Sequence, residues 1–286
     1  MSKILLGKEN HLFLKNDSCK ELEIHCNNLN LVKDLELKHL SFSKYMLVIF
    51  PDKSCYYKKY LPDEYECKYR PAFNIYLKKL GNRIIDGLEC LKDIDLAYYK
   101  TDTHINLKGN YIIYKSFINR INSYYGLKLN VKKLKIKVLN DVELSKLNKG
   151  IGDLTWPNNK GDIVIPKITD NYFYSDDLLP FYIDYKIDGI YCNILDYKLN
   201  DCTNDLLGKS VLWNIISKYI LYKNNIESDN NFKVIIFYDS FLLQVLTLYM
   251  ELFKEVYMIK STYNNNLIEL IKPDFVFQFC VERFLY

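Results

Sequence analysis

The stretch KVIIFYDSFLLQVLTLYMELF, residues 233–253, decides the fold. Its first part, 234–238, is a short run of apolar, strand-forming residues. Its second part sets Phe241, Val245, Leu248 and Leu252 at the spacing of one helical face. Asp239-Ser240 lies at the junction. A strand, a sharp turn carrying Ser and a buried helix together present a nucleophilic hydroxyl, and they put the Ser N–H where the helix dipole favours an oxyanion. The competing reading is that Asp239 or Ser240 only caps the helix. A nucleophile at Ser240 requires a base, an orienting acid and a pocket from the rest of the chain.

Working outward, 256–259 reads as a strand, 265–271 as a helix and 275–281 as a last strand before Glu282-Arg283. Upstream, 205–223 reads as a helix that returns through a polar linker, 224–231. Near the N-terminus, 3–15 reads as a strand–loop–strand and 29–44 as a helix. Residues 45–50 (YMLVIF) read as a buried strand ended by Pro51-Asp52-Lys53. Helix 72–80 and a short strand at 84–85 follow. Between 130 and 195 the character changes: KLKIKVL, DIVIPKI, FYIDYKI and GIYCNIL are strand-like runs separated by turns, a β-rich insertion spanning 127–204. Alternating strands and helices predict a parallel sheet with helices on both faces, within one domain over 1–286. Ligands of such sheets bind beyond the carboxyl ends of the strands. Ser240, the Pro51-Asp52-Lys53 turn, the Glu282-Arg283 pair and the loop carrying Asp102 and His104 all read as following strands, a placement that lets them converge at one edge.

The second informative stretch is YYKTDTHIN, 98–106, just before a helix running to 121. Asp102 and His104 are two residues apart on a turn. At that spacing a carboxylate can reach Nδ1, fixing the tautomer and leaving Nε2 free as a base; the competing reading is a chance pairing on a surface loop. His11, His25 and His39 have no such companion nearby in sequence and read as structural or exposed.

Composition narrows the function classes. The 286 residues are 49% hydrophobic and 26% charged, values of a globular chain with a sizeable core. Thirty-nine basic against 35 acidic residues leave +4, too weak and dispersed to argue for nucleic acid. The 26 tyrosines fit an AT-rich coding bias or a sugar site. The start, MSKILLGKENHLFLKND, does not read as a signal peptide, and no run reads as a membrane span. A cytoplasmic location is the expectation, or a periplasmic one if a leader has been removed. Eight scattered cysteines without a CxxC pair fit reduced thiols. Cys19, His25 and Cys26 lack a second ligand pair, so no metal site is expected.

These blocks, in order, resemble the SGNH-hydrolase-like domain of the alginate O-acetyltransferase family that includes AlgX and AlgJ. The pieces are LLGKENHLFLKND, VIFPDK with YLP, YYKTDTHIN with Gly109, GDL at 152–154, IIFYDSF and PDFVFQFCVER. The resemblance implies a three-layer α/β/α, flavodoxin-like parallel sheet that is circularly permuted, since the Asp-x-His block precedes the Ser block. It implies Ser240 as nucleophile, His104 as base and Asp102 as orienting acid. Arg283 stands near where ordinary SGNH enzymes carry an oxyanion element; its other reading is a buried ion pair under the sheet edge. Tyr238, Lys53 and Tyr99 complete the candidate substrate contacts. Tyr238 stands where the family usually has Gly, and Ile105 where Trp is common.

The function so implied is polysaccharide O-acetyl transfer through an acyl-serine, as in capsule or exopolysaccharide modification in bacteria. An acetylesterase on the same fold and a catalytically silent glycan-binding protein are the alternatives. The expected partners are a carbohydrate acceptor and an acetyl donor, either acetyl-CoA or an acyl-carrying protein. No resident cofactor is implied, and no phosphate-cradling Gly-rich loop is apparent.

Overall fold

The computed structural model describes residues 2–29, 42–139, 152–161, 164–165, 168, 170, 172–175, 177–178, 220–224 and 230–285. Strands β1 (Ile4–Leu6) and β2 (Leu12–Leu14) form an antiparallel hairpin. Helix α1 (Glu21–Asn27) precedes β3 (Tyr45–Phe50), and α2 (Lys53–Tyr56) follows it. Then come α3 (Pro71–Leu80), β4 (Ile84–Asp86), α4 (Gly87–Leu91) and the long α5 (Leu107–Tyr125). Strands β5 (Lys137–Leu139) and β6 (Tyr172–Tyr174) pair antiparallel, with α6 (Pro157–Lys160) between them in sequence. The C-terminal part holds β7 (Ile220–Asn224), β8 (Lys233–Tyr238), α7 (Leu246–Met250), β9 (Glu255–Ile259), α8 (Asn265–Ile271) and β10 (Phe275–Val281).

The main sheet runs β4-β3-β10-β8-β9-β7. Its first five strands are parallel, and β7 joins the outer edge antiparallel to β9. Strand alternation builds two cores. Met46, Val48, Phe50, Val234, Ile236, Phe277 and Phe279 pack toward Ile113, Phe117 and Ile121 of α5 and toward α7. Tyr45, Leu47, Ile49, Ile235, Phe237 and Val276 pack on the opposite face toward Ala72 and Tyr76 of α3 and Leu267 and Ile271 of α8. Helices on both faces explain why all of β10, FVFQFCV, is buried even at Gln278. Gln278 Oε1 accepts from the Tyr45 hydroxyl at 2.9 Å, which satisfies that polar group in the interior.

The predicted strands at 45–50, 84–85, 256–259 and 275–281 and the helices at 72–80 and 265–271 are present. The helix expected over 205–223 differs where it can be compared: Ile220–Asn224 is a strand. The reason is tertiary, because β9 offers an unpaired edge there and pairing satisfies more backbone groups than a helix end would. Residues 201–219, and 30–41 of the helix expected over 29–44, lie outside the described residues. Within 127–204 the described parts are β5, β6, a 3₁₀ turn at Asp153–Thr155 and α6, while FYIDYKI and GIYCNIL lie outside them. Among the described residues, no helix is long and apolar enough to cross a membrane.

Candidate active site

Strand β8 ends in the core with Tyr238, and the chain turns at Asp239. Asp239 is extended and caps the 3₁₀ helix Ser240–Val245 that leads into α7. One carboxylate oxygen accepts from Phe241 N–H at 2.8 Å and the other from Val281 N–H at 2.6 Å. The turn is therefore fastened to the end of the neighbouring strand β10. From α5, Asn110 Nδ2 donates to Phe241 O at 3.0 Å. The Phe241 ring fills the space between Phe50 (5.7 Å) and the His104 ring (4.9 Å). Capping thus falls to Asp239, and the Ser240 hydroxyl is left for another partner.

That partner comes from the 96–106 loop. Tyr98 and Ile105 form an antiparallel bridge across it. Asn106 N–H donates to Ala97 O at 2.8 Å, and its side chain caps α5 by accepting from Gly109 N–H at 3.0 Å. Gly109 is required here, because a Cβ would lie 2.6 Å from Ile105 Cγ1 and 2.8 Å from Ala97 O. Lys53, beyond the end of β3, reaches across and donates from Nζ to Lys100 O (2.8 Å) and Asp102 O (2.9 Å). In the loop so held, His104 Nδ1 lies 2.6 Å from Asp102 Oδ1, and His104 Nε2 lies 2.8 Å from Ser240 Oγ. An ionised carboxylate only accepts, so Nδ1 carries the ring proton and Nε2 accepts from the Ser240 hydroxyl.

Asp153 completes the cluster. The sequence marked it only as part of GDL, with no role. Its N–H donates to Asp102 Oδ2 at 3.0 Å, and its carboxylate accepts from Thr103 N–H (2.8 Å) and Thr103 Oγ1 (2.6 Å). Asp153 Oδ2 is also 3.7 Å from His104 Nδ1. Gly152 permits this approach, since a Cβ there would lie 2.5 Å from Thr101 O. Asp102, His104 and Asp153 offer ligand atoms within 4.8 Å of one another. Those atoms already serve this hydrogen-bond set: Asp102 takes the His104 and Asp153 N–H groups, and Asp153 takes both Thr103 donors.

The electrostatics follow from the geometry. Burial opposes charge on both partners, but the mutual hydrogen bond and charge outweigh it. Asp102 is held down to about 2, and His104 is held above its ordinary 6.5, with Asp153 adding to the upward pull. Burial and the Asp102 charge push Asp153 itself upward.

The four candidate contact residues do not lie open to a ligand. Arg283 is 7% exposed; one guanidinium nitrogen donates to Glu21 at 3.2 Å and to Asp52, and the group sits 5.4 Å from the Phe241 ring centre. Lys53 is spent on the loop carbonyls. Tyr99 is buried, and its hydroxyl accepts from Gln244 Nε2 at 3.2 Å. Tyr238 joins the core on the α5 side of the sheet. Lys53 and Arg283 follow β3 and β10, Tyr238 ends β8, and Tyr99 belongs to the 96–106 loop; all four side chains are buried. His25, without a companion in the sequence, is also buried and bonded, with Nε2 2.9 Å from Asp52 Oδ2. His11 is buried and stacks on Tyr60, and His39 lies outside the described residues.

Among solved structures, the chain is similar to Bacillus cereus PatB1, with a TM-score of 0.62, 18% identity and coverage of 99% of this chain and 96% of that one. PatB1 carrying a sulfonyl adduct matches with the same TM-score at 16% identity. A DHHW family protein from Eubacterium siraeum matches at a TM-score of 0.52 and 15% identity, covering 99% and 94%. The O-acetyltransferase domain of Pseudomonas putida AlgJ matches at 0.52 and 14%, covering 100% and 92%. The likeness spans nearly the whole of each chain, so the fold is shared with the AlgJ domain. No protein-family profile and no curated protein sequence matches the chain.

Proposed function

We propose that the protein is an O-acetyltransferase that moves an acetyl group to a carbohydrate hydroxyl through an acyl-Ser240 intermediate. The observation that carries this reading is the position of His104, 2.6 Å from Asp102 on one ring nitrogen and 2.8 Å from Ser240 on the other. Nucleophile, base and orienting acid within hydrogen-bond reach are what acyl transfer needs. The shared fold with an O-acetyltransferase domain supports the group transferred. The order Asp102, His104, Ser240 along the chain supports a circularly permuted SGNH-type framework.

In this mechanism His104 Nε2 removes the Ser240 proton as Oγ attacks the acetyl carbonyl of the donor. Asp102 steadies the imidazolium, which then protonates the leaving group. The Ser240 N–H is the backbone donor for the oxyanion, since it begins its helix and has no acceptor within it. The next backbone donor, Phe241 N–H, is occupied by Asp239 at 2.8 Å. In the second half, His104 deprotonates a sugar hydroxyl, and the acetyl group moves to it. The donor is acetyl-CoA or an acyl-carrying partner, and the acceptor is a polysaccharide. With water in place of the sugar, the same residues make an acetylesterase.

The test uses a chromogenic acetyl ester, with and without oligosaccharide acceptors, on wild type and Ser240→Ala. Turnover in wild type, absent in Ser240→Ala, is expected, with acceptor gaining the mass of an acetyl group in place of a hydrogen. Equal turnover in both proteins removes Ser240 from the reaction. Free acetate without acetylated sugar makes the protein an esterase. An inert wild type points to a silent glycan-binding protein.

A further inference from the structure

The Cys26 and Cys67 sulfurs lie 2.9 Å apart although 41 residues separate them in the chain. That is closer than two non-bonded sulfur atoms ordinarily pack. Cys26 sits in the last turn of α1 and is half-buried; Cys67 is buried just before α3. The two backbones are already tied together, because Lys68 and Tyr69 N–H both donate to His25 O at 3.0 Å. A bond between the sulfurs therefore asks little of the backbone, the condition under which a disulfide forms without strain.

We propose that Cys26 and Cys67 form a disulfide that staples α1 to the segment before α3. The scatter of cysteines along the sequence hides this pair, because only the fold brings the two segments together. The staple has a consequence for the site. Helix α1 delivers Glu21 and His25 to the buried charges of Asp52 and Arg283, and Arg283 lies against the Phe241 ring beside His104. Fixing α1 fixes that support.

The chemistry is thiol–disulfide exchange with a small-molecule disulfide such as glutathione disulfide as the oxidant. Cys26 is the attacking sulfur: it is the more accessible of the two, and the hydrogen bond from Cys67 holds its thiol below the usual value. Its thiolate forms a bond to one glutathione sulfur and expels the other as thiolate. The Cys67 sulfur then attacks Cys26 Sγ and expels the second glutathione. Two protein thiols are oxidised, one disulfide is reduced to two thiols, and the two protein protons end on the glutathiones. Such a bond persists in an oxidising compartment and is cut in a reducing cytosol.

The proposal does not depend on the acyl-transfer reading, and its test does not measure turnover. The folded full chain is incubated with glutathione disulfide, its free thiols are alkylated, and the digest is mapped by mass spectrometry without reduction. The expected product is a peptide pair joined through Cys26 and Cys67, two hydrogens lighter than the sum of its parts, and missing from Cys26→Ser and Cys67→Ser. The oxidised protein is expected to melt on the order of 10 °C above the dithiothreitol-treated one, as suits closure of a long loop. Full alkylation of both thiols after oxidation, a persistent glutathione adduct on Cys26, or a Cys26–Cys19 product overturns the proposal. If a Ser variant does not fold, the map of the wild type decides alone.

Discussion

His104 Nε2 and Ser240 Oγ lie 2.8 Å apart across 136 residues of sequence. The contact joins the loop before α5 to the turn after β8, and each is fastened independently. Lys53 and Asp153 hold the first; Asp239 and Asn110 hold the second. Pre-positioning of this kind is what lets a hydroxyl and a base act as one unit.

Removing the orienting acid tests that unit. Asp102→Asn keeps the shape but leaves an amide that no longer stabilises the imidazolium or selects its tautomer. A fall in kcat of about 10⁴ is expected, with KM for the acetyl ester little changed. His104→Ala is expected to fall at least as far, and the double variant no further, because the residues act together. Additive losses would contradict the shared mechanism.

The pH dependence carries a definite sign. The base works only when neutral, and His104 is held above its ordinary 6.5, so turnover rises with pH through a midpoint above 6.5. Asp153→Asn removes one charge that raises His104, so the midpoint moves to lower pH while the high-pH plateau stays within about tenfold of wild type. A plateau loss without movement of the midpoint would show that Asp153 only braces Thr103. Stability obeys the same linkage. Asp102 is depressed from 3.8 to about 2, so its contribution is present above 3.8 and is lost as pH falls through about 2. His104 is raised, so its contribution is full below 6.5 and is lost as pH climbs through the raised value. Denaturation of wild type and His104→Ala is therefore expected to differ most between 3.8 and 6.5.

Arg283 separates support from substrate contact. Arg283→Met leaves Glu21 buried without its cation and Asp52 with His25 alone among the described residues, and a loss of about 3–5 kcal/mol is expected. The melting point should drop on the order of 10 °C. A direct role on substrate would instead raise KM with the melting point intact.

Gly152 tests the brace. In Gly152→Ala the new methyl meets Thr101 O at 2.5 Å and Asp102 Cβ at 2.7 Å, so the 101–104 turn must shift. A displacement near 1 Å at the base is expected to lower kcat about 10²-fold, with little change in melting point because the core is not involved. Unchanged turnover would show that the 152–153 segment moves away instead.

The sequence by itself determined what depends on short separations. Apolar runs of strand length, each followed by a helical period, specify a parallel sheet, because both strand faces must be covered. Asp102 and His104 are two residues apart, so their hydrogen bond is a property of one turn. Ser240 after a strand is legible for the same reason, and the resemblance joined it to His104. Only the tertiary structure decided the rest. Asp153 reaches Asp102 from 51 residues away, and nothing in GDL states which turn it clasps. Lys53 and Arg283 follow strands and Tyr238 ends one, as a ligand-binding edge requires. Whether such side chains meet solvent or one another depends on what packs above them, and here they are buried. Ile220–Asn224 is a strand because β9 has an edge to fill. Cys26 and Cys67 meet because α1 folds back onto the segment before α3. Local spacing fixes which groups can hydrogen-bond within a turn, whereas burial and partners across the chain are set only when the layers close.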